Sequence, residues 1–195
     1  MKKLLLTAFD PFAHYQINPS WEAIKLLPEV IADYQIYKIL LPNIYGLAAN
    51  ILLEKAEELK PDIILMTGMN SASVKLELNL TALNIRDALI EDNLGKKPWN
   101  EPIVINAPVA YFSTIPVHDI FKKMHLKGLP VHLAYACGAY VCNDIFYLAL
   151  HKYSKTSTLV GFVHVPLMPQ MVFDENMALP LDKTVETLSA IIESI

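Results

Sequence analysis

Residues 131–147, VHLAYACGAYVCNDIFY, read as a strand that leads directly into a helix. A second apolar run, LVGFVHVP (Leu159–Pro166), follows one helix later and reads as another buried strand. Cys142 falls in the first turn of the predicted helix, and His164 lies near the end of the second strand. The positive end of a helix dipole favours a thiolate, and a nearby histidine can hold that thiolate as an ion pair. The passage therefore predicts an α/β fold with a candidate cysteine nucleophile.

Strand-like and helix-like segments alternate along the whole chain, with no internal repeat or low-complexity segment between them. This order favours a three-layer αβα sandwich around a central mixed, largely parallel sheet. The length of 195 residues suits a single α/β domain, residues 1–195. Besides the passages above, the predicted strands are Lys3–Phe9, Tyr34–Leu41 and Asp62–Thr67, and the predicted helices are Asn18–Leu27, Ile44–Leu59, Ile115–Lys127 and Leu181–Ile195.

Two further segments are predicted from their patterns. Val74–Leu80 alternates apolar and polar residues at period two, so we expect a strand with one exposed face. Arg86–Pro108 carries many turn residues and predicts a long functional loop with short strands.

The composition excludes several classes of protein. Hydrophobic residues make up 53% of the chain and charged residues 18%, which is typical of a sheet buried on both faces or of a surface covered in an oligomer. The net charge of −4 gives no electrostatic footprint for nucleic acid or an anionic membrane. No apolar run approaches the roughly 18 residues that span a bilayer. The start MKKLLL (Met1–Leu6) is interpreted as a first strand in a cytoplasmic protein and not as a signal peptide.

The two cysteines, Cys137 and Cys142, match neither a CxxC redox pair nor a zinc site, so we expect no metal and no disulfide. Cys137 is interpreted as structural. The other histidines show no ligand spacing with one another and are interpreted as solvated or packed side chains: His14, His118, His125, His132 and His151.

The candidate site residues each admit a second interpretation. A lone cysteine at the start of an apolar helix is usually a small buried hydrophobe, and His164 can be a hydrogen-bonded core residue. Their joint placement at neighbouring strand ends favours catalysis, because active sites of α/β sheets lie at the carboxyl ends of strands. Phe9-Asp-Pro-Phe12 follows the first strand, and its two rings either pack in the core or flank a small ligand at the same edge.

Motifs spread over nearly the whole chain add a family signal: LLLTAFDPF (Leu4–Phe12), INPSWEA (Ile17–Ala23), PDII (Pro61–Ile64), ALN (Ala82–Asn84), DA (Asp87-Ala88), DN (Asp92-Asn93), YVCN (Tyr140–Asn143) and GFVHVP (Gly161–Pro166). In combination they make the chain resemble the pyrrolidone carboxyl peptidases (pyroglutamyl peptidase I), cysteine peptidases that remove an N-terminal pyroglutamate. The resemblance implies a three-layer αβα fold, a Cys/His/Glu triad, no cofactor, a cytosolic location and commonly a homotetramer. By position it makes Cys142 the nucleophile and His164 the base.

The sequence departs from the family pattern at the third member of the triad. In a register without gaps, Asn79 stands where the family has its glutamate, and Leu80 stands at the adjoining arginine. An asparagine still accepts an N–H from His164 and fixes its tautomer, as in Cys/His/Asn sites, but it does not stabilise an imidazolium by charge.

Other family positions around the expected pocket are also changed. The loss of one hydrogen-bond donor to the oxyanion typically raises the activation free energy by on the order of 3 kcal/mol. Backbone N–H groups beside Cys142 partly offset this loss. Arg86, the only arginine, is interpreted either as a substitute at the oxyanion position or as an exposed solubilising charge. The changed positions are Met69 (a family Gln), Ser73 (an Arg), Leu89 (an Arg suggested to help hold the oxyanion) and Ala13-His14 (a glycine pair).

We therefore predict a cysteine peptidase that removes an N-terminal pyroglutamate, or a related small N-terminal amide, from small peptides through a thioester on Cys142. The alternative is a catalytically weakened or inactive relative with a binding or regulatory role, because Asn79, Leu80 and Leu89 replace charged residues. We expect a homo-oligomer, dimer or tetramer, with no nucleic-acid or membrane partner. The predicted site comprises Cys142, His164 and Asn79 for catalysis, and Phe9, Phe12, Asn18 and Met69 for substrate binding.

Overall fold

Seven strands form the central sheet of the computed structural model, which describes all residues 1–195. The sheet strands are β1 (Lys2–Phe9), β2 (Val30–Ile31), β3 (Tyr34–Leu41), β4 (Ile63–Met69), β5 (Leu76–Asn79), β8 (Val131–Ala134) and β9 (Leu159–Val165), while β6 (Thr81–Leu83) and β7 (Ala110–Phe112) form a separate ribbon. Their order across the sheet is β2-β3-β1-β4-β9-β5-β8. β3, β1, β4 and β9 are parallel, and β5 is antiparallel to β9 and parallel to β8. The predicted mixed, largely parallel sheet is confirmed.

Helices cover both faces of the sheet. They are α1 (Pro19–Leu26), α2 (Leu47–Leu59), α3 (Val117–Leu126), α4 (Val141–Tyr153) and α5 (Leu181–Ile192), with 3-10 turns at Pro169–Met171 and Glu175–Met177. Alternate residues of β1 face opposite layers: Leu4 and Leu6 pack with residues of α1, α3 and α5, whereas Leu5 and Phe9 pack with residues of α2 and α4. Two apolar cores therefore flank the sheet and give the predicted three layers.

The start of α1 has the predicted capping residue followed by proline. Asn18 accepts the N–H of Ser20 at 3.1 Å through its side-chain oxygen, and Pro19 occupies the first helical position. This cap turns the chain back over the sheet immediately after the Phe9-Asp-Pro-Phe12 segment.

The predicted exposed face of Val74–Leu80 is wrong. β5 covers only Leu76–Asn79, lies between β8 and β9, and has all of its residues buried. Leu76 and Leu78 enter an apolar core, while Glu77 and Asn79 are 8% and 0% exposed. The polar residues of the period-two pattern therefore form a buried polar site on one face of β5. The pattern had predicted that this face would be exposed to solvent.

The predicted placement of Cys142 and His164 at neighbouring strand ends is also wrong. β8, which precedes α4, is separated from β9 by β5 and runs in the opposite direction to β9. The loop at 135–140 carries the chain from β8 to the start of α4. The strand that ends beside His164 is β4, whose Gly68 lies opposite His164 in the parallel register.

The segment Arg86–Pro108 is the predicted long loop, with one bridge between Arg86 and Glu101. Asn84 anchors it, because its side chain accepts the N–H of Val104 at 2.9 Å and donates to the carbonyl of the same residue at 2.8 Å. None of the helices has the length and apolar character needed to cross a bilayer.

Candidate active site

A cavity of about 360 Å³ lies where β4 and β9 end against the first turn of α4. Its volume is within the usual range for small-molecule sites, roughly 300–1,000 Å³. Asn79 is fully buried and contacts His164 without lining the cavity. The other predicted site residues all line it: Phe9, Phe12, Asn18, Met69, Cys142 and His164.

Cys142 lies in the first turn of α4, and no side chain caps this helix. The thiol packs against β4: a Cβ added at Gly68 would lie 2.7 Å from Cys142 Sγ. Burial raises the pKa of the Cys142 thiol to about 12, although a hydrogen bond with its own backbone acts in the opposite direction. The predicted resting thiolate is therefore not favoured, because the loss of water outweighs the backbone hydrogen bond.

His164 lies on β9 with 6% of its surface exposed. Burial lowers the pKa of its imidazole to about 4, and the carboxylate of Glu77 acts in the opposite direction. The ring is consequently neutral near pH 7 and can accept a proton. Burial thus shifts the pKa values of both groups toward their neutral forms, whereas the sequence pattern favoured an ion pair.

Asn79 contacts His164 as predicted, but through its amide nitrogen and not through its amide oxygen. Asn79 Nδ2 is 3.1 Å from His164 Nδ1 and donates to the main-chain carbonyl of Glu77 at 3.2 Å. Asn79 Oδ1 is buried with no hydrogen-bond partner. The side chain therefore offers a donor to the ring, where the sequence interpretation required an acceptor.

Glu77 is a site residue that sequence reasoning missed. Glu77 Oε2 is 3.5 Å from His164 Nδ1, and the side chain lines the cavity. The signal was present in the sequence, because residues two apart on a strand point to the same face and Asn79 had already been assigned to the site. The antiparallel pairing that puts Glu77 opposite His164 was not visible in the sequence.

The apolar side of the cavity contains both predicted phenylalanines. Phe9 is 1% exposed, and the rings of Phe12 and Tyr140 are 5.8 Å apart between centroids. Met69 closes the end of β4 with 8% exposure. Asn18 lines the cavity, but its side chain is already used: it caps α1 and donates to the carbonyl of Asp10 at 3.0 Å.

Two further asparagines line the cavity and were also missed, Asn43 and Asn70. Asn43 is 1% exposed, and its Oδ1 is buried with no hydrogen-bond partner. Both follow the carboxyl end of a strand, Asn43 after β3 and Asn70 directly after β4. A polar residue immediately after a parallel strand was the available signal.

Arg86 takes neither of the two roles considered for it. Its guanidinium pairs with the buried carboxylate of Asp144, with Arg86 Nε and Nη2 both 2.7 Å from Asp144 Oδ1. The Arg86 side chain is only 17% exposed and is absent from the cavity wall. Leu89 is 83% exposed, and Leu80 lines a different cavity. None of these three residues supplies an oxyanion donor.

Ala13 retains the backbone that a glycine would favour. Its φ is 53°, in the left-handed region, where an alanine is strained by about 1 kcal/mol. The turn after Phe12 thus contains a left-handed residue although no glycine stands there.

The three-layer fold, with a cysteine at an uncapped helix N-terminus and a histidine on the same cavity wall, defines the class of α/β cysteine hydrolases. No group of three or more His, Cys, Asp or Glu side chains is arranged to hold a metal ion. The family model for pyroglutamyl peptidase matches residues 2–195, and the chain belongs to this family.

Individual relatives agree with the family match. The chain is 40% identical over 179 residues to a pyrrolidone-carboxylate peptidase of Pyrococcus furiosus, covering 89% of this chain and 85% of the relative. A Bacillus mycoides protein of the same name is 39% identical over 173 residues, covering 87% and 80%. The crystal structure of Bacillus amyloliquefaciens pyroglutamyl peptidase I superposes with a TM-score of 0.94 at 30% identity, covering 100% of this chain and 96% of that one.

These comparisons confirm the predicted family, the α/β fold and the cysteine omega-peptidase class. They give no support to the alternative of an inactive binding or regulatory relative.

Proposed function

We propose that the protein removes an N-terminal pyroglutamate from small peptides, with Cys142 as nucleophile and His164 as general base and then general acid. The observation that carries the proposal is the presence of Cys142 and His164 on one cavity wall beside the rings of Phe9 and Phe12. The 40% identity to an enzyme named pyrrolidone-carboxylate peptidase supports the substrate class.

Acylation starts from the neutral pair. As Cys142 Sγ attacks the carbonyl carbon of the pyroglutamyl group, its proton moves to His164 Nε2, because Nδ1 faces Asn79 and Glu77. The imidazolium then gives that proton to the departing peptide nitrogen, and the C–N bond breaks to leave a thioester. A water molecule deprotonated by His164 attacks the thioester, the C–S bond breaks and the thiol is restored.

The oxyanion formed in each attack needs hydrogen-bond donors. The first turn of α4 presents its N–H groups without a side-chain cap, and the helix dipole favours negative charge there. Since Arg86 is paired with Asp144, these backbone groups are the donors that we assign to the oxyanion.

The cavity wall suits a lactam ring, which has apolar faces and a polar N–H and carbonyl. Phe9 and Phe12 provide apolar walls. Asn43 Oδ1, buried and without a partner, is suited to accept the lactam N–H. A buried acceptor left unpaired is costly, so this contact favours a substrate that carries the N–H.

Hydrolysis of pyroglutamyl, prolyl and glutamyl amides that release a fluorescent amine tests the proposal. We expect turnover of the pyroglutamyl amide alone by the wild-type protein and none by Cys142→Ser. Wild-type protein that is folded and has a free thiol, yet releases no amine from the pyroglutamyl amide between about pH 5 and 9, would contradict the proposal.

We also propose a cytoplasmic location and a homo-oligomer of a single domain. Cys137 and Cys142 are both free, which is typical of a reducing compartment.

Large apolar side chains, among them Leu89 at 83% and Val109 at 85% exposure, support contact with a second copy. Light scattering after size-exclusion chromatography measures the assembly, and a monomer at micromolar concentration would contradict it.

A further inference from the structure

Three titratable side chains form a row across neighbouring strands. In the sheet register, Glu77 of β5 lies opposite His164 of β9 on one side and opposite His132 of β8 on the other. Side chains at paired positions share one face of a sheet and contact each other. Accordingly, Glu77 Oε2 is 3.5 Å from His164 Nδ1, and Glu77 Oε1 is 3.3 Å from His132 Nε2.

Glu77 is fixed in this position by a third neighbour. Asn70 Nδ2 donates to both carboxylate oxygens, at 3.0 Å to Oε1 and 2.9 Å to Oε2. Only 11% of the Glu77 side chain is exposed, so water screens its charge weakly. The carboxylate therefore acts strongly on the one buried ring beside it, His164.

Asn79 does not supply the acceptor that His164 needs. The Asn79 amide is oriented by the main-chain carbonyl of Glu77, to which Nδ2 donates. Turning the amide over would bring Oδ1 against that carbonyl oxygen and lose the hydrogen bond. By itself, a donor from Asn79 would favour the tautomer with the proton on Nε2, which has no lone pair there to accept the proton of Cys142. Another group must therefore hold a proton on Nδ1.

We propose that Glu77 is the positioning residue for His164: its carboxylate accepts the Nδ1–H and stabilises the imidazolium during acyl transfer. This inference rests on the proposed function. By the gap-free register, the family glutamate stands at position 79, one strand period further along the same face of β5. Here the same strand delivers a carboxylate to the same ring nitrogen from a different position.

Before attack, one proton is on Nδ1, which faces Glu77 Oε2 at 3.5 Å, and one is on Cys142 Sγ. The S–C bond forms as the Sγ proton moves to Nε2, and the carbonyl electron pair moves to the substrate oxygen. When the C–N bond breaks, the Nε2 proton leaves with the amine, and the proton on Nδ1 stays on the ring.

Replacing Glu77 by Gln keeps the shape and removes the charge. We expect kcat to fall by about 100-fold or more, with KM within about threefold, because losing the matching group in a related triad costs about 10⁴. Glu77→Asp keeps a carboxylate and should stay at least about tenfold more active than Glu77→Gln. The matched control is Glu54→Gln, an exposed glutamate of α2, which should leave kcat unchanged.

A double variant separates a charge effect from a packing effect. Glu77→Gln combined with Asn79→Glu returns the carboxylate to the family position, and we expect it to recover at least about tenfold of the lost kcat. A kcat of Glu77→Gln within about threefold of wild type would overturn the proposal. Thermal unfolding of each variant checks that the sheet is intact.

The acid limb of kcat/KM gives a readout that packing alone would not move. Glu77 raises the pKa of His164 against the effect of burial, so removing its charge should shift this limb to lower pH. The groups that face Glu77 are His132 from β8, His164 from β9 and Asn70 after β4, with Cys137 also close enough to interact by charge. An unmoved acid limb in Glu77→Gln would count against the proposal.

Nitrogen NMR of histidine-labelled protein tests the same inference without turnover. We expect His164, assigned by its loss in His164→Gln, to carry its proton on Nδ1 in the wild type and on Nε2 in Glu77→Gln. The same tautomer in both proteins would overturn the role of Glu77. Because this spectrum is recorded on free protein, failure of the proposed hydrolysis and failure of this inference remain distinguishable.

Discussion

Cys142 Sγ occupies the space in which a side chain on Gly68 would begin, since a Cβ at position 68 would lie 2.7 Å from the sulfur and 3.0 Å from Phe162 Cζ. Gly68 is also the residue paired with His164 across β4 and β9. The absence of a side chain at Gly68 therefore determines how closely the thiol approaches the strands that carry the histidine.

Gly68→Ala tests this relationship. The added methyl group must displace the sulfur or the Phe162 ring, and a misplacement of about 1 Å at a reacting atom can cost about 100-fold in rate. We expect kcat to fall by about that factor while the protein remains folded. Steady-state kinetics with a pyroglutamyl amide measures it, and an unchanged kcat would show that the thiol is not constrained by β4.

The alkylation rate of Cys142 tests the neutral resting pair. Because burial raises the pKa of the thiol to about 12, reaction with iodoacetamide should be slower than for a free thiol at about pH 7.5 and should rise steadily toward about pH 10. Peptide mass spectrometry distinguishes Cys142 from Cys137. A rate that is fast and independent of pH between about 6 and 8, and is lost in His164→Ala, would instead indicate an ion pair.

The stability of the protein should depend on pH through His164. The pKa of His164 is lowered to about 4 in the folded state from 6.5, so the unfolded state binds the extra proton first as the pH falls. The stability contributed by the neutral ring is present above about pH 6.5 and is lost as the pH falls toward 4, by up to about 3 kcal/mol. Urea unfolding of wild type and His164→Gln across this range measures the difference, which should shrink in the variant.

Asn43→Val tests recognition of the lactam. Removing the acceptor should raise KM for a pyroglutamyl amide by about tenfold, because the net free energy of one hydrogen bond corresponds to about a tenfold change in affinity. We expect little change in kcat. The free protein should be as stable as wild type or more so, because the buried Oδ1 has no partner to lose. An unchanged KM would remove Asn43 from the substrate site.

The ion pair of Arg86 and Asp144 should be structural. Arg86→Met leaves a fully buried carboxylate without its charged partner, which destabilises a protein by about 3–5 kcal/mol. The double variant Arg86→Met/Asp144→Asn should be less destabilised than the single one. Guanidinium unfolding measures both, and a stability loss below about 1 kcal/mol in Arg86→Met would contradict the assignment.

Much of the fold was readable from local chemistry. The buried run of β1, the Asn18-Pro19 start of α1 and the apolar stripe of α5 each follow from short patterns, and all are confirmed. The exposure of β5 was wrong because a period-two pattern does not reveal whether its polar face meets water or the interior.

The site was readable in part. The residue types and family motifs pointed to Cys142 and His164, and the structure brings both to one cavity. Glu77 was missed and the orientation of the Asn79 amide was wrong, because both depend on the antiparallel register of β5 and β9. That pairing joins residues more than 80 positions apart in the chain, and no local pattern encodes it.

Glu77 and Asn79 both reach the same nitrogen of His164, although they are different positions in any alignment of sequences. A relative that lacks the acidic residue at the family position is commonly interpreted as inactive. On a strand, however, the residue two positions away projects from the same face and reaches nearly the same point in space. Surveys that sort relatives of this chain into active and inactive members should therefore score the two positions jointly, since a carboxylate at either one is within reach of the ring.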